Sequence, residues 1–158
     1  MTSVHLIRHA KAKDRLAWKE PDLMRPLTKR GRREAEAIAE ALREEPPARL
    51  VSSPYVRCVQ TLEPTAIALG LPIETTDVLA EGAGGDGAVE LLLALAHSGP
   101  LACCTHGDVV FEAMSLVAAE GLVLDGPRDV PVASAWLLEV EDGRVVTARF
   151  VERSPHAA

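Results

Sequence analysis

The sequence predicts an α/β fold, a three-layer sandwich of one mostly parallel sheet with an antiparallel edge hairpin and helices on both faces. Three observations carry this reading. Short apolar runs alternate with stretches of helical periodicity, the pattern of parallel strands joined by helical crossovers. Asp142-Gly143 stands between two alternating segments near the end of the chain, a strong hairpin signal. The length is 158 residues, 47% hydrophobic and 25% charged, the size and balance of one globular domain, so residues 1–158 are read as a single unit.

The elements follow in order. Val4 to Ile7 is a short buried strand. A polar connection runs from Ala10 to Arg30, and long ordered loops in compact domains tend to be functional or mobile. Thr28 caps a helix over about Gly31 to Glu44, where Ala35, Ile38, Ala39 and Leu42 form one apolar stripe. Pro46-Pro47 ends it. Leu50-Val51 with Ser52 and Ser53 reads as the second strand. Pro54 suits the first position of the next helix, with Ser53 as its cap, and Pro64 should bend or interrupt that helix before Gly70. Pro72 to Thr76 is a further short strand, and Glu81 to Gly87 a glycine-rich loop. Asp86 caps a helix over about Gly87 to His97. Leu101 to Cys104 is a buried strand, followed by a helix over about Val109 to Glu120. After a loop over Gly121 to Pro131, Ala135 to Val140 and Arg144 to Val151 form the hairpin, and the tail after Glu152 should fray.

Composition narrows the class. The net charge is −6, from 17 basic and 23 acidic residues, which makes the chain a poor non-specific partner for nucleic acid or an anionic membrane. Aromatic residues are only 3%, too few for a base-stacking platform. The longest apolar run, Leu91 to Ala96, is far below the roughly 18 residues of a membrane span. Cys58, Cys103 and Cys104 are odd in number, with two adjacent in an apolar run. They make no disulfide framework, and the expected setting is the reduced cytoplasm. No secretory leader is visible, because Val4 to Ile7 is short and ends in charge.

In a mostly parallel sheet, ligands bind beyond the carboxyl ends of the strands. Three reactive segments fall there: Arg8-His9 after the first strand, Ser53 to Arg57 after the second, and Thr105-His106-Gly107-Asp108 after the strand at Leu101. Two Arg and two His converging on one sheet edge disfavour a metal, because the cations repel it and thiolate or carboxylate partners are missing. The same set suits a dianion. Arg8 and Arg57 can each donate a pair of hydrogen bonds to phosphoryl oxygens, and a helix N-terminus at Arg57 adds free N–H groups. Neighbouring cations keep a histidine neutral and nucleophilic. His9 is the better placed nucleophile, and His106 would donate to the transferring oxygens. Glu81 is the candidate general acid for a poor leaving group. The cations Lys11, Lys13, Arg15 and Lys19 could meet an acidic partner or a polyphosphate, or simply be solvated.

Leu6-Ile7-Arg8-His9-Ala10 resembles the signature of the histidine phosphatase superfamily, the group of phosphoglycerate mutases and related phosphatases. Ser53-Pro54-Tyr55-Val56-Arg57-Cys58-Val59-Gln60-Thr61 is similar to its second motif, and Thr105-His106-Gly107 to its third. The resemblance implies that Arg8, Arg57 and His106 form a phosphate pocket, that His9 becomes the phosphohistidine and that Glu81 is the proton donor. It implies no metal or organic cofactor. Arg25-Pro26-Leu27-Thr28-Lys29-Arg30-Gly31 resembles the small branch typified by bacterial phosphohistidine phosphatases. The same pattern occurs in the phosphatase domain that follows a Nudix domain in some nucleotide hydrolases. There the matching Arg25 borders the site, to reach the phosphate or a substrate group, or to anchor the loop. Ala10 stands where many relatives have Gly, and the loop from Lys11 to Met24 lacks the Ser and Asn of the mutases.

The expectation is therefore a phosphohydrolase working through a phosphohistidine on His9. Its substrate would be a phosphohistidine protein, a nucleotide or a small phosphoester. The alternatives are mutase-type phosphoryl transfer and a non-catalytic phosphate-binding module.

Overall fold

The computed structural model describes residues 1–152; the expected fraying of the tail beyond Glu152 lies outside them. Six strands form one sheet in the order β3-β2-β4-β1-β5-β6. They are β1 (Thr2–Arg8), β2 (Arg49–Ser52), β3 (Ile73–Thr75), β4 (Leu101–Thr105), β5 (Ala135–Glu141) and β6 (Arg144–Val151). The first four are parallel to one another, while β5 runs antiparallel to β1 and β6 antiparallel to β5. Asp142 and Gly143 both take positive φ, 52° and 74°, as the tight hairpin turn demands.

The helices are α1 (Lys29–Leu42), α2 (Val56–Leu69), α3 (Asp86–Leu95) and α4 (Gly107–Ala119). Strand alternation decides which face each buries against. Leu6, Val51, Leu101 and Cys103 point to one side and pack with Ala88 and Leu92 of α3 and Val110 and Met114 of α4. Their neighbours Ile7, Leu50, Ala102 and Cys104 point to the other and pack with Ala35 and Ile38 of α1 and Leu62 of α2. The adjacent cysteines are thus small core residues on opposite faces. The sheet lies between two helical layers, as the sequence predicts. Among the described residues, no helix is long and apolar enough to cross a membrane.

Three local expectations need correction. α2 starts at Val56 with Tyr55 at its N-cap, not at Pro54 behind Ser53, and no side chain caps it. The Ser53 hydroxyl is engaged elsewhere, as described below. Pro64 lies within α2 without interrupting it. α3 begins at Asp86 itself, with Gly85 at the N-cap, so Asp86 supplies first-turn charge rather than a cap. Gly85 is required there, since a Cβ would lie 2.5 Å from the Ala113 backbone nitrogen of α4.

The long connection from Ala10 to Thr28 is pinned at its base. Ala12 bridges Leu27 antiparallel, Lys13 N–H donates to Pro26 O at 3.0 Å, and Thr28 N–H donates to Lys11 O at 2.9 Å. Thr28 also caps α1 as expected, its hydroxyl accepting from Gly31 N–H at 3.0 Å. A single 3-10 turn, Asp22–Met24, breaks the loop near its far end.

Candidate active site

The parallel register brings the ends of three strands level. Arg8 pairs with Thr105, and Cys104 pairs with both Ile7 and Ser52. The residues just beyond therefore meet. The His9 and His106 rings lie 5.4 Å apart between centroids, edge to face. Arg57, the second residue of α2, is fully buried, and its Nη2 lies 3.5 Å from His106 Nδ1. Tyr55 packs against both, 4.8 Å from the His106 ring and 4.8 Å from the Arg57 guanidinium carbon.

His9 is held on all sides. Its backbone N–H donates to Thr105 O at 3.0 Å, and Ala133 N–H donates to the carbonyls of Arg8 and His9, each at 3.1 Å. Ala133 adopts φ 64° to do so, a left-handed conformation unfavourable for a residue with a Cβ. The Ala10 N–H donates to the Thr61 hydroxyl at 3.0 Å, and Thr61 in turn donates to Arg57 O at 2.7 Å, joining α2 to this turn. His9 Nδ1–H donates to the Ala10 carbonyl at 2.8 Å. A carbonyl only accepts, so Nδ1 carries the proton and Nε2 keeps its lone pair. Burial lowers the His9 pKa to about 3, assisted by the positive potential of His106, Arg57 and Arg8; the bond to Ala10 opposes the shift.

The cations are anchored from behind. Arg8 Nη1 donates to Val130 O at 2.6 Å. Its guanidinium lies over Gly107, where a Cβ would stand 3.0 Å from Arg8 Cζ. Arg57 donates through Nη1 to Asp22 O at 3.0 Å and through Nη2 to the carboxylates of Asp22 at 3.1 Å and Glu81 at 3.3 Å. Arg8 Nε and Arg57 Nε are buried donors with no hydrogen-bond partner, which suits a place for an anion. His106 is the N-cap residue of α4, so the free N–H groups and the dipole of that helix point the same way.

Arg8, His9, His106 and Gly107 floor a cavity of about 420 Å³. Its wall carries the basic residues Lys11, Lys13, Arg15 and Arg25 and the acidic residues Glu81, Asp108 and Asp129. Glu81 accepts from Arg15 Nη2 at 2.8 Å, an ion pair between two residues that line the cavity. Arg25 borders the cavity, but its Nε donates to Asp22 Oδ1 at 2.8 Å and its Nη1 to Lys13 O at 2.6 Å, so it also anchors the loop. A larger groove of about 790 Å³ lies elsewhere, between α3, α4 and β6, lined by residues such as Val89, Leu93 and Leu116 and remote from these histidines.

Of the residues singled out in the sequence, Arg8, His9, Lys11, Lys13, Arg15, Arg25, Glu81 and His106 line this cavity, Arg57 is buried beside it against His106, and Lys19 is not part of its lining. Sequence reasoning missed Asp22, whose carboxylate touches Arg25 and Arg57. Burial works against its ionised form, but Arg25, Arg57 and Arg15 prevail and lower its pKa to about 2. Ser53 was visible in the sequence but in the wrong role, as a helix cap. Val130 and Ala133, which hold Arg8 and the His9 turn from the far end of the chain, carry no local signal at all.

The Histidine phosphatase superfamily (branch 1) profile matches residues 4–88, more than half of the chain. The chain belongs to this family. It is 32% identical over 153 residues to an 8-oxo-(d)GTP phosphatase of Mycolicibacterium smegmatis, covering 94% of this chain and 48% of that protein. The chain thus spans about half the length of the curated relative it matches. Among solved structures it resembles one assigned as the phosphohistidine phosphatase SixA of Agrobacterium tumefaciens, with 25% identity, a TM-score of 0.71 and 96% of each chain covered. The protein histidine phosphatase SixA complexed with tungstate shares the fold, with 24% identity, a TM-score of 0.77 and 97% of each chain covered.

Proposed function

We propose that this chain is a phosphohydrolase in which His9 Nε2 takes the phosphoryl group. The nitrogen lone pair forms the P–N bond as the bond to the leaving oxygen or nitrogen breaks, and Glu81, entering this step in its protonated form, gives its proton to the leaving group; the carboxylate so formed takes a proton from the water of the second step, which restores the acid. Arg8, Arg57 and His106 hold the phosphoryl oxygens and neutralise the charge that builds on them. Water then attacks phosphorus, the P–N bond breaks, and inorganic phosphate leaves a neutral His9 behind. The observation that carries this reading is the tautomer of His9: a buried neutral ring whose protonated nitrogen is tied to Ala10 and whose bare nitrogen is free to attack.

Among phosphohistidine proteins, nucleotides and small phosphoesters, nucleotides come first. The 32% identical relative acts, by name, on 8-oxo-(d)GTP, and Lys11 and Lys13 on the cavity wall suit a second phosphate. Arg25, which lines the same cavity, would contact that part of the substrate. The buried free thiols of Cys58, Cys103 and Cys104 favour a reducing, cytoplasmic setting. The test is turnover of p-nitrophenyl phosphate and a nucleotide panel by wild type and His9→Ala. The expected result is turnover by wild type, a loss of roughly a thousandfold or more in the variant, and an acid-labile phosphoenzyme in wild type alone. Equal rates in the two proteins would remove His9 as the nucleophile.

A further inference from the structure

Ser53 is fully buried, and its Oγ lies 2.8 Å from Nε2 of the buried His106. We infer that Ser53 is a positioning residue for the reaction: its hydroxyl holds the proton of His106 on Nε2 and so turns Nδ1 toward the phosphoryl group. The inference rests on the reading of His106 as a ligand of that group.

The assignment follows from what each partner is able to do. Arg57 Nη2 faces His106 Nδ1 at 3.5 Å. That contact is long for a hydrogen bond, but a guanidinium only donates, which disfavours a neutral His106 with its proton on Nδ1. The proton sits on Nε2 and donates to Ser53 Oγ. The same oxygen accepts from Tyr55 N–H at 3.2 Å, which uses its two acceptor sites. Cys58 Sγ also lies 3.5 Å from Nε2, but sulfur is the weaker acceptor.

Ser53 is itself rigidly placed. Its backbone N–H donates to Cys104 O at 2.9 Å, just past the paired ends of β2 and β4, and His106 follows Cys104 by two residues. The ring and the hydroxyl are therefore both anchored at the paired ends of β2 and β4. When a phosphoryl group arrives carrying a proton, Nδ1 can take it and return it as a hydrogen bond to a phosphoryl oxygen. The second N–H of that imidazolium already has its acceptor in Ser53. A ring free to flip would present either nitrogen, and half of its orientations would aim an N–H away from the reaction. This explains why Ser53 does not cap α2, although its chemistry and position suit a cap.

The experiment has two readouts. In wild type, nitrogen-15 spectra of the histidines at neutral pH should show His106 protonated on Nε2; a proton on Nδ1 overturns the inference whatever the variants do. In Ser53→Ala, kcat on p-nitrophenyl phosphate should fall about ten- to a hundredfold with KM changed less than threefold, since the lost orientation matters most as charge grows on the phosphoryl oxygens. The His106 resonances should also become those of mixed tautomers. Ser53→Thr keeps the hydroxyl and should restore the single tautomer and most of kcat. Cys58→Ala should leave the tautomer unchanged. A Ser53→Ala enzyme with wild-type kcat and a single Nε2–H tautomer overturns the inference. Absence of turnover in wild type would instead sink the phosphohydrolase reading, and the tautomer would still be measured.

Discussion

His9 is kept neutral chiefly by burial and then by three neighbouring cations or potential cations, and this has a cost that depends on pH. Its pKa falls from an unfolded value of about 6.5 to about 3 in the fold. Between those values the unfolded chain binds a proton that the native chain does not. Stability is therefore full above about pH 6.5 and declines as the pH falls toward 3, by at most about 1.4 kcal/mol per pH unit. Asp22 works lower down: its pKa is also lowered, to about 2, so its contribution is lost only below the ordinary carboxylate range. Urea unfolding at pH 7 and pH 4.5 should show wild type losing more stability on acidification than His9→Asn; equal losses would assign the slope to other groups. Gly107 makes a second prediction at this scale. An alanine there would put Cβ 3.0 Å from Arg8 Cζ, and the guanidinium, held at 2.6 Å by Val130 O, has little room to retreat. Gly107→Ala should raise KM for an aryl phosphate about tenfold with little change in melting temperature.

Among the elements, the loop between β1 and α1 decides how the site is closed. Its base is a backbone ladder, and its middle is fastened by charge: Arg15 to Glu81 at 2.8 Å, and Asp22 to Arg25 and Arg57 at 2.8 and 3.1 Å. The Arg15 pair is mostly exposed and worth at most about 1 kcal/mol to stability. Its larger effect should be on the orientation of Glu81. Arg15→Ala should lower kcat several-fold for phenyl phosphate, whose leaving group needs a proton, and much less for p-nitrophenyl phosphate; parallel losses on both would remove Glu81 as the donor. The same loop shows where the sequence is legible. Thr28 as the α1 cap and Asp142-Gly143 as the hairpin turn could be read because each acts within three residues of itself. Asp22 could not be read, because Arg57, its partner, lies 35 positions away. Ser53 misled for the same reason: a local rule made it a cap, and a histidine 53 positions away took its hydroxyl instead. The strand-end rule placed Arg8, His9, Arg57 and His106 together because it is a property of the sheet rather than of any one segment.

For the molecule as a whole, the site is where both helical layers and three strands meet, so an anion bound there ties them together. β1 brings Arg8, α2 from one face brings Arg57, and the start of α4 from the other brings His106. A ligand that touches only the native arrangement stabilises the whole domain by mass action, about 2.7 kcal/mol at a hundred times its dissociation constant. A domain of this size gains roughly 2–4 °C in melting temperature per kcal/mol, so saturating tungstate or phosphate should raise it by several degrees. The variants should separate holding from reacting. His9→Ala removes a neutral ring and should keep most of the shift while abolishing turnover. Arg57→Met leaves Asp22 and Glu81 without their buried shared cation and with only the more exposed Arg15 between them, so its own melting temperature should drop, and adding tungstate should then produce little further change. If Arg57→Met responds to tungstate as strongly as wild type does, the anion is held elsewhere, and the convergence of the three strand ends is not what binds it.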